Sequence, residues 1–385
     1  MTSKAIPEPD RSARGRAPLR VAIGLALAMI VALIVPAAAA PSQGAGQDDW
    51  DAIVAAARAE GTLSITVPRG LEYVRTMVTE PFERQYGIHV DYYLGGPPDV
   101  VAQVRERGDN VAPWDVFVGG NDTLMFNLKG LGALQPIEPA LLRPDVRDLS
   151  NWDGGRYPFT DRDGYVFAFL REGGEYFYVN TARADPATIT SYRDLLKPEW
   201  KGQIVATGDP REGGSVRTIF AFLYTHPDLG PDFLRELLTN QDVRFSESDA
   251  DDEEIVTHGD FGICLCDHAQ GVAMRENGIP VQLLDPHGVR EGISVTSSFA
   301  NVTLAKRAAH PNAAKVYLNW LLSHDAGQLF TDMSDIPSTR ADVDKSSVDP
   351  RNVPDPSWVI GNNEDAMSRA LEMVRFITPL MPARP

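Results

Sequence analysis

The sequence predicts an α/β protein of two lobes that are joined by crossover strands, with a ligand cleft between the lobes. Strand-like and helix-like segments alternate along the chain, an order typical of parallel sheets covered by helices on both faces. The chain has 385 residues, more than one hydrophobic core usually organises, so two domains are expected. It also leaves its first α/β unit, builds a second and returns, and repeated crossings of this kind form a hinge.

The first 39 residues are predicted to be a secretory signal peptide. Four arginines between positions 11 and 20 precede an apolar run at 21–35, and the alanines after Pro36 supply a cleavage site after Ala39. An uncleaved anchor is the alternative, because 21–40 is long enough to span a bilayer. We favour cleavage, because four alanines and a proline make a poor half of a membrane helix. The mature protein is therefore expected to be exported, soluble and periplasmic.

The charge of the chain excludes some partners. The formal net charge is −17, and the leader contains five basic and two acidic side chains, so the mature chain carries −20. Such a charge argues against nucleic acids and anionic membranes as partners. It does not fix the charge of the ligand, because the charge of a pocket is set independently of the surface.

Residues 48–182 and 290–335 are predicted to form lobe 1. Pro81 should bend its second helix, and Gly61 and Gly87 should end its first two helices. Its helices are expected at 50–60, 73–86, 99–107, 122–130 and 313–321, and its strands at 63–67, 89–93, 115–118, 165–170, 176–180 and 295–299.

Residues 183–289 are predicted to form lobe 2, and residues 336–385 a C-terminal helical tail. The tail contains a helix expected at 360–376, which should pack on a lobe. In lobe 2, helices are expected at 191–196, 215–225, 233–238, 249–258 and 267–277, and strands at 203–206, 243–245, 262–266 and 281–284.

Cys264 and Cys266 are the only cysteines. On a strand, residues two apart have Cα atoms roughly 7 Å from each other, which is beyond comfortable disulfide geometry. We therefore expect two small buried side chains, with a metal pair or a redox site as the alternatives.

A first candidate ligand turn follows the strand at 115–118. That strand runs into Gly119 and Gly120, and Asn121 or Asp122 can then cap a helix. A strand that ends in glycines and opens a helix leaves bare backbone N–H groups at the carboxyl edge of a sheet, where ligands bind in open α/β folds. The alternative is an ordinary turn with glycines for tight packing.

Four short motifs resemble a known family. They are KPEWKG at 197–202, HPNAAK at 310–315, NWLLS at 319–323 and AGQ at 326–328. In this order they resemble the extracellular solute-binding proteins of ABC importers, and among these the ferric-iron and sugar-phosphate binders. The resemblance covers about 50–343. It implies a type II-like periplasmic-binding-protein fold, no enzymatic activity, no cofactor, and a monomer that delivers a small solute to an inner-membrane permease and ATPase.

The ligands that the family uses for ferric iron are not found at the matching positions. A tandem tyrosine pair is replaced by Asp267 and His268, an acid by Gly119 and Gly120, and a histidine by the segment around Arg69. Another tandem pair, Tyr92 and Tyr93, lies on a lobe 1 strand, where alternation should send the two rings to opposite faces.

The resemblance retains the anion-binding turn of the family. Gly213, Gly214 and Ser215 follow a strand and open a helix, so N–H groups, a hydroxyl and a positive dipole end meet at one place. Arg69 and Arg211 would add charge-assisted contacts. The expected ligand is a small anionic or phosphorylated organic compound.

Other features of the sequence keep further ligands and functions open. Asp267 and His268 also suit an amine, a hydroxyl or a metal, and the loop with Ser338 and Arg340 resembles one that reaches the cleft. The alternatives are ferric iron or another metal with a synergistic anion, a periplasmic sensor input, and a metal-dependent hydrolase. The hydrolase would use both cysteines, Asp267 and His268, but the cysteines should point away from Asp267. None of the common hydrolase or nucleotide motifs is present.

The leader gives a direct prediction. Mature protein from the native host should begin at Ala40, because the site after Ala39 is the good A-x-A signature that follows the apolar run. N-terminal sequencing checks this, and retention of residues 21–35 would place the protein in an anchored class.

Overall fold

The computed structural model describes residues 43–68, 74–119, 122–174, 176–212, 214–246, 251, 254–255, 258–266, 268–297 and 300–382. The leader and five predicted site residues lie outside this part of the chain; the five are Arg69, Gly120, Asn121, Gly213 and Asp267. Most of the helix predicted at 249–258 also lies outside it.

The described elements alternate as the sequence predicts. The strands are β1 Thr62–Pro68, β2 His89–Gly95, β3 Val116–Gly119, β4 Leu134–Gln135, β5 Phe167–Ala168, β6 Glu172–Gly174, β7 Tyr176–Asn180, β8 Ile204–Ala206, β9 Arg244–Phe245, β10 Ile263–Cys266, β11 Val281–Leu283, β12 Ser294–Thr296 and β13 Asn301–Ala305. The helices are α1 Gln43–Glu60, α2 Val74–Val78, α3 Glu80–Tyr86, α4 Pro97–Arg107, α5 Asp122–Gly130, α6 Pro144–Arg147, α7 Gly214–Thr225, α8 Gly230–Asn240, α9 His268–Glu276, α10 Pro311–Leu321, α11 His324–Ser334 and α12 Glu364–Ile377.

The first sheet has the order β2-β1-β3-β13-β4, with β5 also paired to β13. Strands β1, β2 and β3 are parallel, whereas β13 returns antiparallel to β3. Alternate residues of β3 belong to two hydrophobic cores, one on each face of the sheet. Val116 and Val118 pack in one core and Phe117 packs in the other. Tyr92 and Tyr93 divide in the same way, so the prediction that their rings separate is confirmed.

The second sheet has the order β11-β7-β10-β8-β9. Its two faces also feed separate cores, with Phe177 and Val179 on one face and Tyr178 on the other. Strand β7 pairs antiparallel with β10 and β11. The sequence pattern assigns residues 176–180 to the first lobe, but their backbone belongs to the second sheet. The predicted α/β fold with two lobes agrees with this pair of sheets.

Three described segments cross between the two sheets. Strands β6 and β12 pair antiparallel on the way out of and back to the first sheet. The tail then adds a third segment, since Ile360 bridges to Val295 and the Gly361 N–H donates to the Val295 carbonyl at 2.9 Å. Strand β12 is shorter than the returning strand predicted at 295–299. The strand that returns to the first sheet is β13.

Asp115 is a buried side chain that links several segments of the first lobe by hydrogen bonds. Its side chain is 1% exposed and accepts the backbone N–H groups of Ser64 at 2.8 Å and His310 at 2.9 Å. The Nδ1 of His310 lies 2.8 Å from the same carboxylate. One buried acid thereby joins β1, the start of β3 and the loop before α10.

The tail helix α12 spans the two lobes. Its Met373 and Ile377 belong to a core of the second sheet, whereas its first residue, Glu364, meets Lys129 at 3.2 Å and donates its N–H to Thr160. Lys129 also contacts Asp161 at 2.8 Å and Asp163 at 2.9 Å. Partial burial opposes the charge on Lys129, but these carboxylates outweigh it and raise the pKa of the amine.

The prediction that Cys264 and Cys266 do not pair is wrong. Their Cα atoms are 5.4 Å apart and the sulfurs form a disulfide. Both side chains are fully buried beside Tyr178 and Val205. The Cα separation is shorter than that of the regular strand assumed from the sequence, which brings the pair within disulfide range.

The disulfide predicts a thiol count. Native protein that is unfolded in guanidinium without reductant should show no reactive thiol, and the same sample after reduction should show two. Titration with a chromogenic disulfide reagent measures both values, with the Cys264→Ala, Cys266→Ala double variant as the blank. Two thiols before reduction would contradict the pairing.

Candidate functional site

The predicted ligand residues that the structure describes lie at the carboxyl ends of strands. Gly119 is the last residue of β3, and α5 begins at Asp122. In the second sheet, β8 and β10 are parallel neighbours, so α7, which begins at Gly214, and α9, which begins at His268, both follow the same sheet edge. This is the edge at which open α/β sheets bind ligands. Gly214, Ser215 and His268 are described as helix backbone.

Contacts at Gly361 bring α7 close to the crossing segments. A Cβ added to Gly361 would overlap the side chain of Ser294 in β12 and would lie 3.6 Å from Thr218 in α7. A larger residue at this position would require the Ser294 side chain to move. The first turns of α7 therefore lie beside the segments that connect the two sheets.

A chain of buried side chains continues from the tail to Gly119. Asn362 donates to the Ser297 hydroxyl, which donates to Asn301 Oδ1 at 2.8 Å, and Asn301 Nδ2 donates to the Gly119 carbonyl at 3.2 Å. The three side chains are at most 5% exposed. The end of β3, the return to the first sheet and the tail thus share one polar network. Sequence reasoning missed these residues, because no local pattern links positions 119, 301 and 362.

Arg211 is held by its own turn. Its guanidinium makes a bidentate contact with Asp209 through Nε at 2.9 Å and Nη2 at 2.6 Å, and Nη1 donates to the Pro382 carbonyl at 3.0 Å. The carboxylate of Asp209 raises the pKa of Arg211. Arg217, which the sequence pattern does not single out, donates to the carbonyls of Pro210 and Arg211. The charge of Arg211 is therefore largely balanced within the turn.

Two more contacts fix the loops around this edge. The Gly208 N–H donates to the Ser246 hydroxyl at 2.6 Å, and Ser246 lines a cavity of about 320 Å³ at the end of β9. Thr207, just after β8, is hydrogen-bonded to Gln270 in the first turn of α9. The loop between β8 and α7 is thus held by side chains of the second lobe.

Arg340 lies in the interior of the first lobe. Its side chain is 1% exposed, pairs with Asp342 at 2.7 Å, donates to the Leu322 carbonyl and stacks on Trp152. Ser338, also buried, donates its hydroxyl to the Phe169 carbonyl. In this structure both side chains serve packing, in contrast to the cleft role that the sequence resemblance implies.

Within the described residues, no three His, Cys, Asp or Glu side chains are arranged to hold a metal ion. No helix in the same part of the chain is both long and apolar enough to cross a membrane.

Two sheets with separate cores, joined by crossing segments and with glycine turns at their carboxyl edges, define a two-lobed solute-binding architecture. A family model for bacterial extracellular solute-binding proteins matches residues 77–352. Because this match covers most of the chain, the chain belongs to that family, and it is a solute-binding protein of the ABC transporter type. Members bind small-molecule ligands, work with ABC permeases and act outside the cell or in the periplasm.

The curated relatives are distant. Iron uptake protein A1 of Synechocystis is 20% identical over 251 residues, which cover 64% of this chain and 67% of that protein. The spermidine/putrescine-binding periplasmic protein of Escherichia coli is 27% identical over 162 residues, which cover 41% of this chain and 44% of that protein. The chain thus spans less than half the length of the second relative.

Solved structures share the fold. A Trichodesmium protein in complex with iron and citrate ligands matches with a TM-score of 0.62 at 17% identity, covering 83% of this chain and 99% of that one. Apo ferric ion-binding protein A of Pasteurella haemolytica also gives 0.62 at 17% identity, covering 83% and 98%. At these identities the likeness shows the fold alone.

The ion pair in the turn before α7 gives a stability prediction. Arg211→Ala leaves the half-buried Asp209 carboxylate without its guanidinium, so the free energy of unfolding should fall by about 1–3 kcal/mol. Urea unfolding measures the change, and the Asp209→Ala, Arg211→Ala double variant should recover part of it. A loss in the double variant equal to the sum of the two single losses would show that the pair contributes nothing.

Proposed function

We propose that this chain is the substrate-binding subunit of an ABC importer for a small anionic or phosphorylated organic solute. The solute binds between the lobes, and the closed protein delivers it to the permease and ATPase complex at the inner membrane. The protein acts as a monomer, carries no cofactor and catalyses no reaction. The observation that carries the proposal is the N-terminus of α7, at the carboxyl edge of the second sheet and beside the crossing segments.

The start of α7 suits a negative group. The first N–H groups of a helix have no partner within the helix, and the helix dipole is positive there. α7 has 12 residues, so its dipole is developed, and no acidic residue stands in its first turn. Gly213, Gly214 and Ser215 would hold the anion, and Arg69 would supply a charge. Arg211, whose guanidinium is already paired with Asp209, would support the turn rather than neutralise the ligand.

The opposite wall of the proposed site comes from the first lobe. Gly119 ends β3, and Gly120 and Asn121 follow it. Their backbone N–H groups would face the ligand as the lobes close. Asp267 and His268, ahead of and at the start of α9, would meet a hydroxyl or amine of the same ligand.

Ferric iron with a synergistic anion is the second candidate, because one relative is an iron uptake protein and a structural match holds iron and citrate. Another relative binds spermidine and putrescine, which are cations. The sign of the ligand charge is therefore the point that an experiment must decide.

The test begins with mass spectrometry of the small molecules and metals released from protein purified under native conditions. Calorimetry with the released compound then compares variants. Gly214→Asp should weaken binding at least about tenfold, or about 1.4 kcal/mol, because a carboxylate and a Cβ enter the anion position. Gly130→Asp is the matched control, since it adds the same charge at an exposed helix end with nothing within 4 Å, and it should bind as the parent does.

Asp267→Asn separates the two signs of ligand charge. For an anion, loss of a nearby carboxylate leaves the affinity unchanged or improves it, whereas for iron or a polyamine it costs affinity. Normal binding by Gly214→Asp together with weak binding by Asp267→Asn would overturn the anionic ligand.

A further inference from the structure

We propose that Asn362, in the tail segment before α12, is a positioning residue for the ligand site, acting through Ser297 and Asn301 on Gly119. The ligand role of Gly119 rests on the proposed function. The positioning of Gly119 by the tail does not, and it can be tested without a ligand.

The tail segment is fixed on both sides of Asn362. On one side, Val359 and Gly361 are hydrogen-bonded to Val295 in β12 at 2.8 and 2.9 Å. On the other side, Glu364 meets Lys129 and accepts the Arg162 N–H at 3.1 Å. With both flanks held, the side chain of Asn362 has little freedom to leave Ser297.

The direction of the hydrogen bonds is set at Gly119. Its carbonyl can only accept, so Asn301 must turn its NH₂ group towards Gly119 and its oxygen towards Ser297. The Ser297 hydroxyl then donates to Asn301 and has only lone pairs left for the next residue. Asn362 must therefore present its NH₂ group to Ser297, and its own Oδ1 points away from the chain.

This polarity explains a buried acceptor without a partner. Asn362 Oδ1 is buried and makes no hydrogen bond among the described residues. Such an acceptor destabilises a folded protein, whereas an apolar side chain of the same size at this position would not. Asparagine at 362 is thus a poor choice for stability alone, and the position of Gly119 is what it secures.

The proposal separates stability from positioning. Asn362→Leu removes the unpaired acceptor and keeps the volume, so the melting temperature should stay the same or rise. The same change removes the hydrogen bond that Ser297 accepts, so the Ser297 hydroxyl is held less firmly and the two bonds from Ser297 to Asn301 and from Asn301 to the Gly119 carbonyl are weakened. Amide hydrogen exchange of ligand-free protein should then rise at least about threefold in peptides covering 116–128. Affinity for inorganic phosphate, used as the probe anion, should fall about fivefold.

Ser297→Ala is the second variant, because it cuts the same chain with a smaller change and keeps the test valid if leucine does not fit. It should also raise exchange in 116–128. The matched control is Asn363→Ala, which removes the cap that Asn363 provides to the Ala366 N–H at 2.8 Å. That variant should melt earlier yet leave exchange in 116–128 unchanged.

Amide hydrogen exchange in peptides covering 116–128 is the measurement that decides whether the proposal holds. Unchanged exchange in 116–128 for both Asn362→Leu and Ser297→Ala would overturn it, and so would an equal rise in Asn363→Ala. Lack of phosphate binding by the parent protein would instead count against the anionic ligand, and a rise in exchange would still support positioning.

Discussion

The buried side chain of Asp115 holds the start of β3, and the proposed ligand edge of the first lobe lies at the other end of this strand. A buried carboxyl group is costly unless its oxygens find hydrogen-bond donors, and Asp115 finds them on β1 and on the loop before α10. The Ala305 N–H also donates to its carbonyl, so β13 is held at the same place. The strand that ends at Gly119, four residues further along, is thus held at its start.

Both lobes solve the same packing problem. Each sheet buries both faces, so no face of a central strand is left for a ligand, and the strand ends and the loops that follow are the available places. The residues of the proposed site therefore stand at strand ends and helix starts, and Ser297 and Asn301, beside the crossing segments, can be buried because each has a hydrogen-bond partner. In both lobes the packed sheets form the scaffold, and the polar residues of the proposed site lie at the strand ends.

The elements of this fold could be predicted from local pattern, and its long-range pairings could not. Pro81 predicts a bend in one helix; the structure has two, α2 and α3, with Thr79 between them and Pro81 at the start of the second. The alternation of Tyr92 and Tyr93 gave their faces correctly. By contrast, nothing in the apolar run of β7 says which sheet it joins, because either sheet would bury it. The disulfide was missed because regular strand spacing was assumed.

For the candidate site the limit is different. Glycines after strands mark where loops must open a helix, so Gly119 and Gly214 are visible in the sequence. The residues around them, Asn362 in the network that reaches Gly119 and Asp209 with Arg217 in the turn before α7, are ordinary polar residues whose contacts appear only in three dimensions. Asp209 is an example: it is the internal counter-ion of Arg211, which the sequence predicts to be a ligand contact.

The path of the tail has a consequence for the order in which the molecule matures. A ribosome makes the chain from its N-terminus, so the strands of both sheets exist before residues 359–377 emerge. The first lobe can then form its cores, but the core of the second sheet still lacks Met373 and Ile377. The third crossing segment, the passage at Gly361 and the hydrogen bond from Asn362 to Ser297 must also wait for the last part of the polypeptide. A nascent chain can therefore be largely folded while the connection between its lobes is incomplete, and the arrival of the C-terminal segment completes it.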